Sequence, residues 1–441
     1  MCLDNQSSDM FAKADPIMWD SDLNLLHPKP TATSVYKNLC LLSVVFAFSV
    51  GLTIGILIPL FYLEAPDVKN QTQQHTTNSP LISNIRTVFV NNSYGFKTNG
   101  TYPTVSFVEN LGSGQDYSGL VEDGIYWGSK VEKALPEGYL RDDTWGAYVQ
   151  KAVAVKMESG CGRMQNRLVT FQDGLKGCVR YRQNTDQIQG ELFSFYLAKI
   201  LNLPNLAPST ISVVDLAKPL WQNLANEIAS AQWNSNRPIV LTQFITNLNS
   251  AAIPEVFKPV ERHLNKYDVL NMTKQFASDQ SGLMKRMVEL AQWSDLIVFD
   301  YLTANLDRIV NNLYNYQWNA NIMDAPAHNL AKKTDSELLV FLDNESGLLH
   351  GYRLLKKYEI YHSILLENLC VFRRSTADRI RKLKMKGNVG HLLRGMFDTQ
   401  NGDIVKDILP TIPNKSVKIL NERIDKVYNQ ITKCESIFSN T

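Results

Sequence analysis

A long uncharged stretch near the N-terminus constrains this chain more than any other feature of its sequence. No charged residue occurs between Asn38 and Leu63, and most positions there are apolar. About 20 apolar residues cross a bilayer as a helix, so the stretch is long enough to do so. It is too long, and it starts too late, for a cleavable signal peptide. We therefore predict a single transmembrane signal anchor over residues 39–63.

The charges and glycosylation sequons around the anchor indicate its orientation. Lys29 and Lys37 precede it, whereas Glu64 and Asp67 follow it, which favours a cytoplasmic N-terminus. Sequons follow the anchor at Asn70, Asn91, Asn99, Asn271 and Asn414. We predict a type II membrane protein of the Golgi or endoplasmic reticulum, with a cytoplasmic tail (1–38), the anchor (39–63), a glycosylated lumenal stem (64–118) and a lumenal domain (119–441). The sequence leaves open whether cleavage of the stem releases a secreted form.

Apolar patterns in the lumenal domain change from strand to helix along the chain. Strands are predicted at 152–155, 167–171, 177–181, 210–214 and 238–244, with one helix at 190–203 among them. Helices are predicted afterwards at 281–302, 361–368, 376–386, 389–397 and 415–436. A strand-rich part followed by a helix-rich part predicts an α+β fold with two lobes.

Charge and cysteine content narrow the possible functions. A formal net charge of +2 gives no sign of nucleic-acid binding. No cysteine or histidine cluster has the spacing of a zinc site, so we predict no structural zinc. The four cysteines after the anchor allow three pairings. We favour Cys161–Cys178 and Cys370–Cys434, because each bridge then stays within one lobe.

Two acidic motifs in the lumenal domain suggest phosphoryl transfer. Asp307 lies in a polar loop after an apolar helix, where it could orient an acceptor hydroxyl. Asp343 ends the apolar strand 338–342, where a carboxylate could hold Mg²⁺ or Mn²⁺. Asn312 could share that metal. An Asp in a loop, then an Asp after a strand, is the order in which kinases place a catalytic base and a metal ligand.

A basic strand before an acidic helix residue suggests a phosphate site. Arg180 lies on the predicted strand with Lys176 and Arg182 nearby, and Glu191 opens the next predicted helix. Kinases pair a basic strand residue with a helix glutamate to hold the α- and β-phosphates of ATP. We therefore predict Arg180, Glu191 and Lys176 as nucleotide-binding residues.

Each of these acidic residues also has a purely structural interpretation. Asp307 could form a helix-terminal salt bridge with Arg308, and Asp343 could be an ordinary turn residue. Glu191 could be a solvated helix residue. Asp300 is expected to be a structural carboxylate, and the segment 311–335 could be a surface loop. The sequon at Asn344 is expected to be unused, because a glycan there would block the site.

The order of these motifs resembles the Four-jointed family of secretory-pathway protein kinases, which are of the Golgi casein-kinase type. The matching motifs are DGIYWG at 123–128, QGEL at 189–192, FDYL with NLDR at 299–308, FLDNE at 341–345 and CVFRRST at 370–376. The resemblance covers roughly residues 119–434. It implies an atypical protein-kinase-like fold, a Golgi location, and use of ATP with Mn²⁺ or Mg²⁺. It also implies phosphorylation of Ser or Thr in extracellular cadherin repeats of the Fat and Dachsous type, in planar cell polarity and growth control.

Two other functions compete with this interpretation. The phosphate-pairing residue of related kinases is a lysine, whereas Arg180 stands here, so the domain could be a non-catalytic pseudokinase that binds a partner. Type II glycosyltransferases share the tail, anchor and stem. Their usual Asp-x-Asp metal motif occurs here only at 20–22, on the predicted cytoplasmic side, which counts against that function.

Overall fold

A computed structural model describes residues 119–139, 144–259 and 263–439. The predicted tail, anchor and stem lie outside the described residues, as do the sequons at Asn70, Asn91 and Asn99. Among the helices that are described, none combines the length and the apolar character needed to cross a membrane.

The first part of the described chain is built on a five-stranded antiparallel sheet. Its strands are Ala154–Ser159 (β3), Arg167–Phe171 (β4), Lys176–Tyr181 (β5), Ser209–Val213 (β6) and Pro238–Gln243 (β7), and they lie in the order β3-β4-β5-β7-β6. Two short strands, Val121–Glu122 (β1) and Tyr126–Trp127 (β2), pair separately. The five predicted strands are therefore confirmed, with shifts at their ends.

Four helices accompany this sheet: Ser129–Ala134 (α1), Thr144–Lys151 (α2), Thr185–Leu201 (α3) and Ala225–Ser230 (α4). Helix α3 starts five positions before its predicted beginning at Gly190. The side chain of Asn184 accepts a hydrogen bond from the backbone N–H of Asp186 and caps the polar first turn. At the other end, Asn202 takes a left-handed conformation and closes the helix.

The period-two pattern of the strands gives the sheet two different faces. Val179 and Leu241 pack on one face in a core cluster with Trp145 and Trp221. Arg180 is the neighbour of Val179 on β5, so it projects toward the opposite face, where helix α3 lies. The alternation of side chains along β5 therefore places the Arg180 guanidinium on the side of the sheet where α3 lies.

The second part of the described chain is mainly helical. Its helices are Lys266–Gln275 (α5), Gln280–Thr303 (α6), Ile309–Asn315 (α7), Leu349–Glu367 (α8), Arg374–Lys386 (α9), Val389–Gln400 (α10), Asp403–Ile408 (α11) and Asn414–Phe438 (α12). A small antiparallel sheet contains Leu248–Ala252 (β8), Pro326–Lys333 (β9) and Leu339–Phe341 (β10). Helix α6 runs through the core and is buried almost continuously from Met287 to Thr303. The described domain is therefore α+β, with the sheet first and the helices second.

The predicted start of one helix and one predicted loop in this part are wrong. The helix predicted at 361–368 begins at Leu349, twelve positions earlier. The segment 311–335 is not a surface loop, because it contains most of α7, a 3-10 turn and β9. Leu313, Met323 and Leu330 from this segment are buried in the main core.

Both predicted disulfide bridges are present. Cys161 in the β3–β4 loop is bonded to Cys178 on β5, with a Cα–Cα distance of 5.7 Å. Cys370, before α9, is bonded to Cys434 on α12, with a Cα–Cα distance of 5.4 Å. One bridge thus lies in the sheet-containing part and the other in the helical part.

Candidate active site

Arg180 and Glu191 meet in the interior between β5 and α3. Arg180 Nε lies 3.6 Å from Glu191 Oε2, and both side chains are largely buried. The backbone N–H of Asn344 donates to the same Glu191 oxygen at 2.6 Å. Burial is the main influence on Glu191 and raises its pKa, against the opposing effect of Arg180. Glu191 is therefore not a solvated helix residue.

Asp343 is the second carboxylate beside Arg180. Its Oδ1 lies 2.8 Å from Arg180 Nη1, as an ion pair without the alignment of a hydrogen bond. Asp343 follows β10 and has a left-handed backbone with a φ of 52°, which is uncommon for a residue other than glycine. The structure thus brings Arg180, Glu191 and Asp343 together.

Asp307 lies in the loop between α6 and α7. Its backbone N–H donates to Asn305 Oδ1 at 3.0 Å, which shapes the loop. The Asp307 side chain is 32% exposed, and Arg163 Nη2 lies 3.9 Å from its Oδ2. The carboxylate is therefore partly exposed to solvent.

The alternative salt bridge between Asp307 and Arg308 is not formed. Arg308 is fully buried and pairs with Asp300, which confirms the structural role expected for Asp300. Burial raises the pKa of Asp300 to about 6, although Arg308 acts in the opposite direction. Arg308 also donates to Asn344 Oδ1 at 2.6 Å and to the carbonyl of Leu342 at 2.9 Å. Arg308 thereby links the loop of Asp307 to the loop of Asp343.

The Asp343 loop packs closely on α3 because that helix has a glycine at the contact. A Cβ atom on Gly190 would lie 2.5 Å from the carbonyl oxygen of Glu345 and 2.9 Å from that of Gly347. Ser346 in the same loop donates to Asn305 Oδ1 at 2.9 Å. The positions of Glu191, Asp343 and Asp307 therefore depend on one another.

The other two predicted ligands are placed differently. Lys176 is exposed at the start of β5, four residues before Arg180, or about 13 Å along a strand. Asn312 is buried on α7 and donates to the carbonyl of Ile322 at 3.1 Å, and its Oδ1 has no hydrogen-bond partner among the described residues. No contact joins Lys176 or Asn312 to Arg180 or Asp343, so their roles stay predictions.

Sequence reasoning missed a second charge cluster beside the first. Glu345 is buried, with Arg182 Nε 2.7 Å from its Oε2 and Arg163 Nη1 2.6 Å from its Oε1. The available signal was spacing, since Arg182 and Glu345 each come two positions after a residue of the Arg180–Asp343 pair. For Arg163 the signal was weaker: it follows two glycines and Cys161 in a hairpin loop.

The described residues fit a metal ion that is shared with a nucleotide rather than one held by protein alone. They contain no group of three or more His, Cys, Asp or Glu side chains arranged to hold a metal. Asp343 Oδ1 accepts no aligned hydrogen bond, although the Arg180 guanidinium lies beside it. Mg²⁺ commonly uses one or two carboxylates together with substrate phosphates and water. Asp343 is suited to such a site.

The sequons in the described domain differ in accessibility. Asn271 and Asn414 are exposed on α5 and at the start of α12, so their use stays a prediction. Asn344 is 2% exposed and donates to the carbonyl of Phe341 at 3.0 Å. A glycan cannot be accommodated on Asn344 in this fold.

The sequence comparisons with known proteins all find relatives from one family. Residues 141–437 match the family model described as the Four-jointed box protein middle domain. The chain is 42% identical to the "Extracellular serine/threonine protein kinase four-jointed" of Drosophila melanogaster, over 91% of this chain and 88% of that protein. It is 36% identical to the Four-jointed box protein 1 of Xiphophorus maculatus, over 72% of this chain and 73% of that protein. The human Four-jointed box protein 1 is 32% identical, over 72% of each chain.

Solved structures show only a distant likeness. The Golgi casein kinase with Mn/ADP bound is 11% identical and matches 66% of this chain and 75% of that chain, with a TM-score of 0.42. The structure of hydra Fam20 with sugar is 14% identical and matches 66% of this chain and 88% of that chain, with a TM-score of 0.43. At these scores the likeness supports no conclusion about the site.

Proposed function

The chain belongs to the Four-jointed family, and from that premise we propose that it is a protein serine/threonine kinase that uses ATP and Mn²⁺ or Mg²⁺. The proposal rests mainly on one structural observation. Arg180 on a strand, Glu191 on the following helix and Asp343 after a later strand converge, and Asp307 is accessible in a loop tied to Asp343. These are the positions from which kinases hold phosphates, metal and acceptor.

Arg180 would hold the nucleotide phosphates while Glu191 fixes its guanidinium. Asp343 would hold the divalent ion, and Asn312 stays a proposed second ligand. When bound, the ion would neutralise charge that develops on the transferred group. Because Arg180 Nη1 already lies 2.8 Å from Asp343 Oδ1, the guanidinium must share or leave that oxygen when the ion binds.

Asp307 would orient the acceptor hydroxyl and accept its proton. Its accessible carboxylate suits contact with a protein substrate, and the Asn305 side chain fixes the loop. The buried Arg308 joins this loop to the Asp343 loop through its hydrogen bonds, and such positioning supplies much of the catalysis of phosphoryl transfer.

The proposed location is the Golgi lumen, with the chain anchored as a type II protein by residues 39–63. Two disulfide bridges support an oxidising compartment, as does the word "Extracellular" in the name of the Drosophila relative. The proposed substrates are Ser and Thr residues in cadherin repeats of the Fat and Dachsous type, which would place the protein in planar cell polarity and growth control.

The proposal is tested by following ³²P from γ-labelled ATP onto secreted cadherin-repeat domains. The full-length protein, with Mn²⁺, is compared with Asp343→Asn and with the matched control Asp403→Asn, whose side chain is 97% exposed. We expect transfer by the wild type and the control but not by Asp343→Asn. Equal transfer by Asp343→Asn would refute the assigned site, and transfer to casein but to no cadherin domain would refute the substrate class.

A non-catalytic function is the second candidate, because of Arg180. An arginine replaces the expected lysine, and its guanidinium lies at the oxygen that a metal would use. A pseudokinase would show no transfer to any acceptor, including its own chain, while the protein stays folded.

A further inference from the structure

Arg163 lies over the two acidic loops of the candidate site. It belongs to the β3–β4 loop, yet its Nη1 is 2.6 Å from Glu345 Oε1 and its Nη2 is 3.9 Å from Asp307 Oδ2. Its side chain is 50% exposed, whereas Glu345 is almost completely buried. Among the described residues, Arg163 is the one cation paired with Asp307. A half-exposed guanidinium therefore lies next to the proposed base.

Glu345 does not depend on Arg163 for its charge balance. Arg182 is buried and contacts the other oxygen of Glu345 at 2.7 Å. If Arg163 moved away, Glu345 would keep a partner, and the severe cost of an unpaired buried charge would be avoided. The contact to Asp307 is long and partly exposed, so it contributes little to stability. Arg163 can therefore leave both carboxylates at low cost.

The backbone of this loop is held in place by several contacts, while the Arg163 side chain is half exposed. Cys161 is bonded to Cys178, two positions before Arg180 on β5. The buried Asn166 donates to the carbonyl of Cys161 at 2.7 Å and accepts from Arg182 at 2.8 Å. Gly162 has a φ of 89°, which a residue with a Cβ atom rarely adopts. These features position Arg163 beside Asp307 and Glu345.

We propose that Arg163 binds the transferring phosphoryl group of the nucleotide, as an arginine supplied from within the chain. This inference rests on the proposed kinase function. In the step, the acceptor oxygen forms a bond to the γ-phosphorus and the bond to the β–γ bridging oxygen breaks. The hydroxyl proton passes to Asp307 and ADP leaves. Arg163 turns from Asp307 and Glu345 to the outer oxygens of the phosphoryl group, where charge is greatest.

The test combines binding with transfer in Arg163→Gln and Arg163→Lys. Arg379→Gln on α9 is the matched control, because Arg379 is an exposed arginine on a helix that carries none of the proposed site residues. We expect Arg163→Gln to lower kcat by about 1,000-fold. We expect it to weaken Mn²⁺–ATP binding about tenfold, with ADP binding and the melting temperature unchanged, because only ATP carries the γ-phosphate. Arg163→Lys should recover part of the loss.

The outcomes separate this inference from the kinase proposal. Unchanged or increased kcat in Arg163→Gln would overturn the inference, as would an equal loss of ATP and ADP affinity. If the wild type binds ATP but transfers no phosphate, the kinase proposal fails. In that case a selective loss of ATP affinity would still support the contact of Arg163 with the γ-phosphate, and its absence would refute it.

Discussion

Arg180 Nη1 lies 2.8 Å from Asp343 Oδ1, and this contact joins the five-stranded sheet to the loop that follows β10. The same guanidinium lies 3.6 Å from Glu191 on α3. One buried cation thus balances two carboxylates from distant parts of the chain. Burial acts to lower the pKa of Arg180, but the negative charges around it outweigh burial and raise that pKa.

Replacing Arg180 separates its structural role from its catalytic role. Arg180→Gln leaves Glu191 and Asp343 without their cation, and we expect the unfolding free energy to fall by about 3 kcal/mol. Transfer should fall below detection. Arg180→Lys keeps the charge and should retain more stability and measurable transfer. Urea unfolding measures the stability of both variants, and ³²P transfer measures their activity. Wild-type activity in Arg180→Gln would contradict the role assigned to this residue.

Gly190 offers a test of the packing between α3 and the Asp343 loop. In Gly190→Ala the new Cβ would meet the Glu345 carbonyl oxygen at 2.5 Å, so the loop or the helix must shift. We expect lower stability and a loss of transfer, although alanine favours helices by about 1 kcal/mol. Gly395→Ala is the control, because nothing lies within 4 Å of its added atom, and it should be stabilising. Thermal melts in which both variants gain stability would contradict this packing.

The raised pKa of the buried Asp300 leads us to predict that the stability of the fold depends on pH. Its pKa is raised from 3.8 to about 6 by burial, so the folded state binds its proton more tightly than the unfolded state does. This contribution to stability is complete below pH 3.8 and is lost as the pH rises through about 6, and it amounts to about 3 kcal/mol. Asp300→Asn should remove this part of the slope, while Asp403→Asn should keep it. Parallel wild-type and Asp300→Asn curves between pH 4 and 6 would contradict the assignment.

The sequence predicted elements whose pattern is local. The strands predicted at 167–171 and 238–244 contain short apolar runs and helix α6 has a long apolar pattern, so all three could be recognised without a partner. Strand β9 could not, because its burial is irregular and depends on pairing with β8, far back in the chain. Helix α5 was also missed, although Asn265 and Asp268 form a capping box at its start.

Sequence reasoning predicted the site residues that are recognisable from their type and from their position on a strand or helix. Arg180, Glu191 and Asp343 were named from strand and helix positions and do meet. The hydrogen bond from Arg308 to Asn344 was not predictable, because it spans 36 positions. Arg182 and Glu345 are separated by 163 positions, and the sequence hints at their contact only because each lies two positions after a member of the Arg180–Asp343 pair.

The two disulfides should differ in their effects. Removing the bridge between Cys370 and Cys434, which are 64 positions apart, should lower stability by about 4 kcal/mol and leave kcat unchanged. Removing the bridge between Cys161 and Cys178, 17 positions apart, should lower stability by about 3 kcal/mol. It should also lower kcat, because it frees the loop of Arg163. Paired Cys→Ser variants, compared by urea unfolding and transfer, check this, and equal kcat values in the two variants would count against it.

The central claim is that Asp343 and Asp307 have separate roles in one phosphotransfer site. The most direct measurement is Mn²⁺–ATP affinity together with ³²P transfer in the wild type, Asp307→Asn and Asp343→Asn. We predict that Asp307→Asn binds Mn²⁺–ATP normally but transfers about 1,000-fold more slowly, whereas Asp343→Asn loses both binding and transfer. Normal transfer by either variant would contradict this account.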